Sequence, residues 1–156
     1  MTAGLAALTI GRASYNRIVA HALKCFPEEC CGVLVGTRRA GRVHVAHAVT
    51  AANVLPKRLR MRHFEIDPAV LFTLQRALRE ARHKRLRERV VGYFHSHPLG
   101  VASPSGADLA GAHEVGLVTL IAAPEQRTGR VTMRAFLRLG DGAARRFRPL
   151  RLHIEG

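Results

Sequence analysis

Two histidines at the end of an apolar run constrain this chain more than any other feature. The run begins at Val90 with the letters V-V-G-Y-F, and His95, Ser96, His97 and Pro98 follow it. Alternate residues of a β-strand project from the same face, so the two imidazoles are expected to converge on one point. Proline has no amide hydrogen to give to a strand ladder, and we therefore expect the strand to end there.

A short loop and a helix start come next. Residues 98–104 are rich in Pro, Gly and Ser, which indicates a tight loop. Ser105 then stands before Gly-Ala-Asp-Leu-Ala, and it is the predicted N-cap of a helix. Such a loop can return Asp108 toward the two imidazole rings.

These residues favour a zinc site. A histidine pair on a strand is by itself more often a packing feature, but serine and aspartate at this spacing after it are hard to produce by chance. Two imidazoles and one carboxylate leave the fourth position of a tetrahedral ion to water, as in catalytic zinc sites. We predict that His95, His97 and Asp108 hold one Zn²⁺ per chain.

Length and composition predict one domain without a membrane segment. The 156 residues fit a single domain, 1–156, with a core of ordinary size. Apolar residues make up 47% of the chain, yet no apolar run approaches the roughly 18 residues that a membrane span requires. The start of the chain lacks the basic segment and cleavage pattern of a secretory signal. We therefore expect a cytoplasmic protein with no membrane partner, while its oligomeric state stays open.

The chain is strongly basic. Its 25 Lys and Arg against 11 Asp and Glu give a formal net charge of +14, with dense arginine at 79–89 and 145–151. Such charge attracts an acidic partner, either nucleic acid or an acidic protein surface, and does not choose between them. A solvated arginine-rich surface explains the charge equally well. With no Trp and two Tyr, the sequence shows no platform for stacking single-stranded bases.

Three cysteines, Cys25, Cys30 and Cys31, are an odd number in one cluster. This pattern argues against a disulfide framework and favours a reducing compartment. We expect them to be small buried apolar residues near the site, with a redox role or a contact with the metal as the alternative.

Periodicity and chain breaks predict a mixed α/β fold, more specifically α+β, in which helices flank a mostly antiparallel sheet. Strands are predicted at 5–10 (an edge strand), 31–36, 43–50, 62–66, 89–97, 117–123, 131–139 and 144–154. Helices are predicted at 15–26 after a Ser14 cap, from Pro68 to about 83 after an Asp67 cap, and from Ser105 to Gly116. The second helix is expected to bury Val70, Leu71, Leu74, Leu78 and Ala81.

Hydrolysis also needs a group that takes and returns a proton. Most acidic residues fall on predicted exposed helix faces or in turns. Glu28 and Glu29 differ, because they lie between the first helix and a buried strand. A carboxylate at such a boundary is unusual unless it faces a site.

The string P-E-E-C-C-G at 27–32, followed by H-S-H-P, Ser105 and Asp108, resembles the JAMM (MPN-plus) metallopeptidase family. The resemblance covers nearly the whole chain and implies the cytidine-deaminase-like MPN architecture. It implies that Glu29, two residues before Cys31, is the general base and acid. It also implies that Ser105 steadies the oxyanion, although Ser105 can equally be only the helix cap.

The same resemblance implies a substrate. Family members cleave the bond after the Gly-Gly tail of a ubiquitin-like protein. With only a short segment at 51–61 in place of longer insertions, the chain is similar to stand-alone prokaryotic members, which are thought to process ubiquitin-like sulfur carriers or their adducts with cysteine or lysine. A small acidic carrier would suit the basic charge.

Two alternatives stay open. The RadC group carries a similar H-x-H-P and S-x-x-D arrangement, and a net charge of +14 makes phosphate binding plausible. RadC proteins are less similar around P-E-E-C-C-G, however, and usually have an extra N-terminal domain. The other alternative is a scaffold domain without catalysis, which the intact motif disfavours.

Overall fold

A computed structural model describes residues 4–83 and 87–156. Residues 1–3, and residues 84–86 within the basic run 79–89, lie outside the described residues. The helices are α1 (Arg12–Cys25), α2 (Pro68–His83) and α3 (Gly106–Gly111). The strands are β1 (Ala7–Gly11), β2 (Cys31–Arg39), β3 (Arg42–Ala51), β4 (Arg89–Ser96), β5 (Val118–Glu125), β6 (Arg130–Leu139) and β7 (Arg146–Glu155).

The strands form one mixed sheet in the order β1-β3-β2-β4-β5-β6-β7, which closes on itself through β7 and β1. Most neighbours are antiparallel, including the predicted β2–β3 hairpin, while β4 is parallel to β5. The predicted α+β class with a mostly antiparallel sheet is therefore confirmed. The prediction that the first strand lies at an edge is wrong, because β1 pairs in parallel with both β3 and β7.

Helix α1 packs on the sheet through Ile18 and Ala22, which are fully buried. The helix begins at Arg12, with Gly11 at the N-cap, so the predicted Ser14 cap is wrong. Ser14 lies in the first turn, where its hydroxyl donates to the Ala46 carbonyl at 3.3 Å. This hydrogen bond ties the helix to β3.

The predicted strand at 62–66 is also wrong, since only one isolated bridge, Asn53 to Ile66, forms there. The Asn53 side chain uses the backbone groups that a ladder would need. Its amide donates to the His63 carbonyl at 2.9 Å, and its oxygen accepts from the Glu65 amide at 3.2 Å. Side-chain hydrogen bonds of this kind compete with regular secondary structure.

Helix α2 has the predicted span, and Asp67 accepts from the Ala69 amide at 3.0 Å. Its predicted apolar face is turned inward but is only partly buried, and no residue of α2 is fully buried. On its outer side, Phe72 is 73% exposed. Among the described residues, no helix is long and apolar enough to cross a membrane.

Helix α3 ends at Gly111 and not at Gly116 as predicted. The last carbonyls of the helix are taken by arginines from other elements, so further turns are not needed to satisfy them. Arg138 donates from Nε to the Ala112 carbonyl at 2.7 Å, and Arg145 donates to the Ala110 carbonyl at 3.3 Å.

Candidate metal centre

Strand β4 lies between two neighbouring strands, with His95 near its end and His97 directly after its last residue, Ser96. His95 is paired with Cys31 of β2 on one side and with Ile121 of β5 on the other. Just beyond the last residue pair of β4 and β5, the His97 amide donates to the Ala122 carbonyl at 2.8 Å. The backbone of both histidines is therefore fixed by the sheet.

Three ligand atoms meet where β4 and α3 approach each other. The Nε2 atoms of His95 and His97 are 3.1 Å apart. The Asp108 carboxylate lies 3.0 Å from His95 Nε2 and 2.9 Å from His97 Nε2. Zinc ligands at about 2.0–2.1 Å from a tetrahedral ion are separated by about 3.3 Å, so the spacing of these atoms is close to that of a zinc set.

The start of α3 orients Asp108. Ser105 Oγ accepts from the Asp108 amide at 3.0 Å, and the Ser105 amide donates to Asp108 Oδ2 at 2.8 Å. This reciprocal pair confirms Ser105 as the N-cap. Burial acts to raise the pKa of Asp108, but the adjacent imidazoles of His95 and His97 outweigh it and hold this pKa well below the usual range.

The tautomer of His97 leaves a lone pair for a cation. His97 Nδ1 is 2.9 Å from the Val101 carbonyl, which can only accept, so the proton is assigned to Nδ1. In the neutral ring, Nε2 then directs its lone pair at the Asp108 carboxylate and at His95. Acceptor atoms whose lone pairs face one another repel unless a proton or a metal ion lies among them. The donor set therefore fits Zn²⁺, with the outer nitrogen of His97 held as metal-bound imidazoles usually are.

His95 lies deeper than His97, with 2% of its surface exposed. Burial lowers its pKa and favours the neutral ring that a metal needs. Phe64 stacks on this ring, with centroids 4.5 Å apart and planes inclined by 20°. His95 Nδ1 is buried without a hydrogen-bond partner among the described residues.

Glu29 precedes β2, which pairs antiparallel with β4. Cys31 is opposite His95, and the Ser96 amide donates to the Cys30 carbonyl at 3.1 Å, so the same register places Glu29 beside His97. Only 5% of Glu29 is exposed, and its Oε2 has no hydrogen-bond partner among the described residues. Burial raises the pKa of Glu29 to about 8, while the charge of His97 acts to lower it and that of Asp108 to raise it.

The two candidate acids differ sharply in their surroundings. Glu28 is half-buried and lies 3.6 Å from Arg60 in an ion pair, whereas no ion pair among the described residues includes Glu29. The backbone of Glu29 is held on both sides by the segment between β3 and α2. Its amide donates to the Arg60 carbonyl at 2.7 Å, and its carbonyl accepts from the Asn53 side chain at 3.2 Å.

Two of the three cysteines, Cys30 and Cys31, lie beside the site. Cys30 and Cys31 are buried, and burial raises the pKa of each thiol to about 12. A thiol with this pKa stays protonated at neutral pH. Ser96 is structural, because its Oγ accepts from the Cys30 amide at 2.7 Å.

A cavity of about 480 Å³ opens beside the ligand cluster, and His95 and Asp108 form part of its wall. Phe64, Leu71 and Tyr93 form part of its wall, and Arg138 lines it as well. Its volume is within the range of small-molecule pockets. The cluster is therefore accessible to a substrate.

Comparison with known proteins identifies the family. The model that describes prokaryotic homologs of the JAB domain matches residues 12–138, which include the three candidate ligands and Glu29. The chain belongs to the prokaryotic JAB family. Its resemblance to JAMM proteins, inferred from the sequence, is thereby confirmed.

Similarity to individual proteins supports the same family assignment. The desampylase of Haloferax volcanii is 33% identical over 129 residues, covering 83% of this JAB chain and 80% of its own length. A protein from Desulfitobacterium hafniense has a solution structure with a TM-score of 0.75 and 26% identity, covering 95% of this chain and 92% of that one. A Salinibacter ruber protein gives a TM-score of 0.59 and 26% identity over 92% and 90% of the two chains. The predicted JAB/MPN architecture is therefore confirmed.

The structure brings together the predicted ligands His95, His97 and Asp108 and places Glu29 next to them. The sequence did not predict the residues that hold these side chains in position. Phe64 was hidden in a segment predicted as a strand. Asn53 lies in an irregular stretch with no periodic pattern. The Asn53 contacts join residues up to 24 positions apart, which no local pattern reveals.

Proposed function

We propose that this JAB protein is a zinc-dependent isopeptidase. Its substrate would be an amide bond that follows the Gly-Gly tail of a ubiquitin-like or sulfur-carrier protein. The observation that carries the proposal is the meeting of His95 Nε2, His97 Nε2 and the Asp108 carboxylate within about 3 Å of one another. The Haloferax volcanii relative, which bears the name desampylase, supports the choice of an isopeptidase on a ubiquitin-like modifier.

Zn²⁺ held by His95, His97 and Asp108 would supply Lewis acidity, which polarises a carbonyl oxygen and lowers the pKa of a water molecule toward 7. This chain's own residues would move the proton. Glu29 beside His97 would take it from the attacking water and deliver it to the leaving amine. Glu29 suits this role because it is buried next to the cluster and its Oε2 has no hydrogen-bond partner in the part of the chain that the structure describes.

Ser105 would stabilise the oxyanion that develops on the carbonyl. Its Oγ accepts from the Asp108 amide, so the hydroxyl proton remains available to donate. Removing one oxyanion donor typically costs about 10² to 10³ in rate. Ser105 would thus orient a ligand through its backbone amide and assist the reaction through its hydroxyl.

The surface charge supports an acidic protein partner. The formal charge of +14 includes Arg76, Arg79 and Arg82, which are exposed on α2, and the ring of Phe72 on the same helix is exposed as well. Arginine and aromatic side chains are enriched at protein interfaces. A small acidic carrier could therefore dock on α2 while its tail enters the cavity that Leu71 of the same helix lines.

The decisive experiment compares the parent with Glu29→Gln and Glu28→Gln. Each protein is loaded with Zn²⁺ and incubated with candidate carriers extended past their Gly-Gly tails, and the products are identified by mass spectrometry. We expect cleavage after Gly-Gly by the parent and by Glu28→Gln, and none by Glu29→Gln. Full activity of Glu29→Gln would remove Glu29 from the mechanism.

The alternatives have their own signatures. DNA affinity that falls steeply with salt, without cleavage of any carrier, would favour a RadC-like role. Bound zinc without turnover on any Gly-Gly-tailed carrier would favour a scaffold.

A further inference from the structure

Arg138, in β6, is a buried cation. It is 2% exposed, and none of the ion pairs among the described residues includes it. Its guanidinium instead donates to three backbone carbonyls, those of Ala112, Leu139 and Gly140. A charge taken out of water is costly unless it is paired, so the unmatched charge calls for an explanation.

One edge of the guanidinium remains free. The bonds to Ala112, Leu139 and Gly140 use Nε and Nη1, while Nη2 donates to no group in the described part of the chain. Three side-chain atoms of the described residues are fully buried without a hydrogen-bond partner, and Nη2 of Arg138 is not one of them. Nη2 therefore keeps some contact with solvent. Arg138 forms part of the wall of the cavity beside the metal centre, together with His95 and Asp108, and we infer that this edge of the guanidinium faces the cavity.

Helix α3 fixes the distance between Arg138 and the candidate ligand Asp108. Asp108 and Ala112 are four residues apart along the chain, which is about 6 Å along a helix axis, and Arg138 Nε lies 2.7 Å from the Ala112 carbonyl. One or two extended residues span a comparable distance, at about 3.3–3.6 Å each. A short group bound at the metal centre can therefore reach the guanidinium.

From these observations we propose that Arg138 binds the free carboxylate of a leaving group. Among the amino-acid adducts that the family resemblance implies, this contact would make Arg138 the residue that favours a leaving group with a free carboxylate one or two residues after the cleaved amide bond. Arg138 suits this role because its fork is already fixed by three carbonyls and its remaining N–H groups match a carboxylate oxygen. Glu65 and Glu114 also line the cavity, but both are exposed and neither is paired with Arg138.

This inference rests on the proposed isopeptidase function, and the test separates the two. Carrier-tail peptides that end in Gly-Gly followed by one or two alanines are prepared as free acids and as C-terminal amides. The parent is expected to cleave the acids with a kcat/KM about tenfold to a hundredfold higher than the amides, the range for a hydrogen bond to a charged group. Equal rates on acid and amide would overturn the proposal without any variant. Cleavage of neither peptide would count against the isopeptidase function itself.

A matched pair of variants tests the residue. Arg138→Met is expected to bring the ratio of acid to amide rates close to one. Arg145→Met is the control, because Arg145 also donates to the α3 carbonyls of Leu109 and Ala110 but is not part of the cavity wall. It is expected to keep the ratio of the parent. A ratio that persists in Arg138→Met would overturn the assignment.

A second measurement does not depend on the variant's folding or on catalysis. The guanidinium ¹⁵N–¹H signals of Arg138 are followed in the parent while alanine or alanyl-alanine, as acid and as amide, is added. The acids are expected to shift the Nη signals and the amides to leave them unchanged. If no acid shifts these signals, Arg138 is only a structural clamp, whatever the enzyme cleaves.

Discussion

The side-chain amide of Asn53 donates a hydrogen bond to the backbone carbonyl of Glu29 at 3.2 Å. The same side chain also bonds to the backbone of Leu55, His63 and Glu65, so one residue fastens the segment between β3 and α2 to Glu29, just before β2. In that segment, Phe64 stacks on His95. Asn53 therefore links the placement of the proposed proton carrier with that of the buried ligand.

Asn53→Asp should impair this placement. The substitution keeps an oxygen acceptor for Leu55 and Glu65 but replaces the donor that serves the Glu29 and His63 carbonyls, leaving oxygens facing each other. We expect kcat to fall by at least about tenfold with little change in KM, and stability to fall by about 1–3 kcal/mol. Steady-state kinetics and thermal melts measure both. Asn16→Asp, on the exposed face of α1, is the control. A lower melting temperature with an unchanged kcat would show that Asn53 acts on stability alone.

Much of this centre could be predicted because its signal is local. His95, His97 and Asp108 fall within fourteen residues, and strand geometry, a proline break and a helix cap place them without knowledge of the rest of the chain. The position of Glu29 required a known family pattern, since its neighbour Glu28 has the same residue type. Only the pairing of β2 with β4 gives the physical reason for choosing between them.

The errors have physical causes of the same kind. Periodicity predicted a strand at 62–66, but the Asn53 side chain satisfies the backbone groups there. The end of α3 was misplaced because Arg138 and Arg145, more than 20 residues away, take its last carbonyls. The edge position of the first strand was wrong because the β1–β7 contact joins residues from opposite ends of the chain. Long-range contacts decided each case.

Ser105 offers a test that separates a cap from an oxyanion donor. Ser105→Ala removes both roles and should cost about 1 kcal/mol of stability and about 10² to 10³ in kcat. Ser105→Thr keeps a hydroxyl and should retain most of the activity. Ser105→Asp keeps a capping acceptor but donates no proton, so it should retain stability and lose activity. If Ser105→Asp were as active as the parent, the hydroxyl would have no role beyond capping.

Zinc binding should be visible in stability. A ligand that binds only the folded state at 100 times its Kd adds about 2.7 kcal/mol, which is about 5–10 °C in melting temperature for a chain of this size. We expect this rise for the chelator-treated parent after addition of Zn²⁺, and no rise for His97→Ala. His47→Ala removes an exposed histidine 3.5 Å from Glu88 and should respond like the parent. A rise that survives in His97→Ala would locate the zinc elsewhere.

The raised pKa of Glu29 predicts how the metal-free protein responds to pH. Burial raises this pKa from 4.5 to about 8, so the folded state holds a proton that the unfolded state has released over this interval. The stabilisation is fully present below about pH 4.5 and is lost as the pH rises through about 8. Replacing the carboxyl by an uncharged amide should remove the effect. We therefore expect metal-free Glu29→Gln to melt at a progressively higher temperature than the parent as the pH rises from about 5 to about 8.5.

Thermal melts of both proteins in the presence of a chelator measure this difference. Each kcal/mol corresponds to about 2–4 °C for a protein of this size. Glu28→Gln is the matched control, because its carboxylate is half-exposed and already paired with Arg60 at 3.6 Å. Its melting temperature should follow that of the parent at a nearly constant offset. The titrations of His95, His97 and Asp108 are common to all three proteins and do not affect the comparison. If the melting temperature of Glu29→Gln also differed from that of the parent by a constant amount, Glu29 would be ionised in the folded state throughout this range. The carboxyl would then lie in a more polar setting than its burial beside His97 implies.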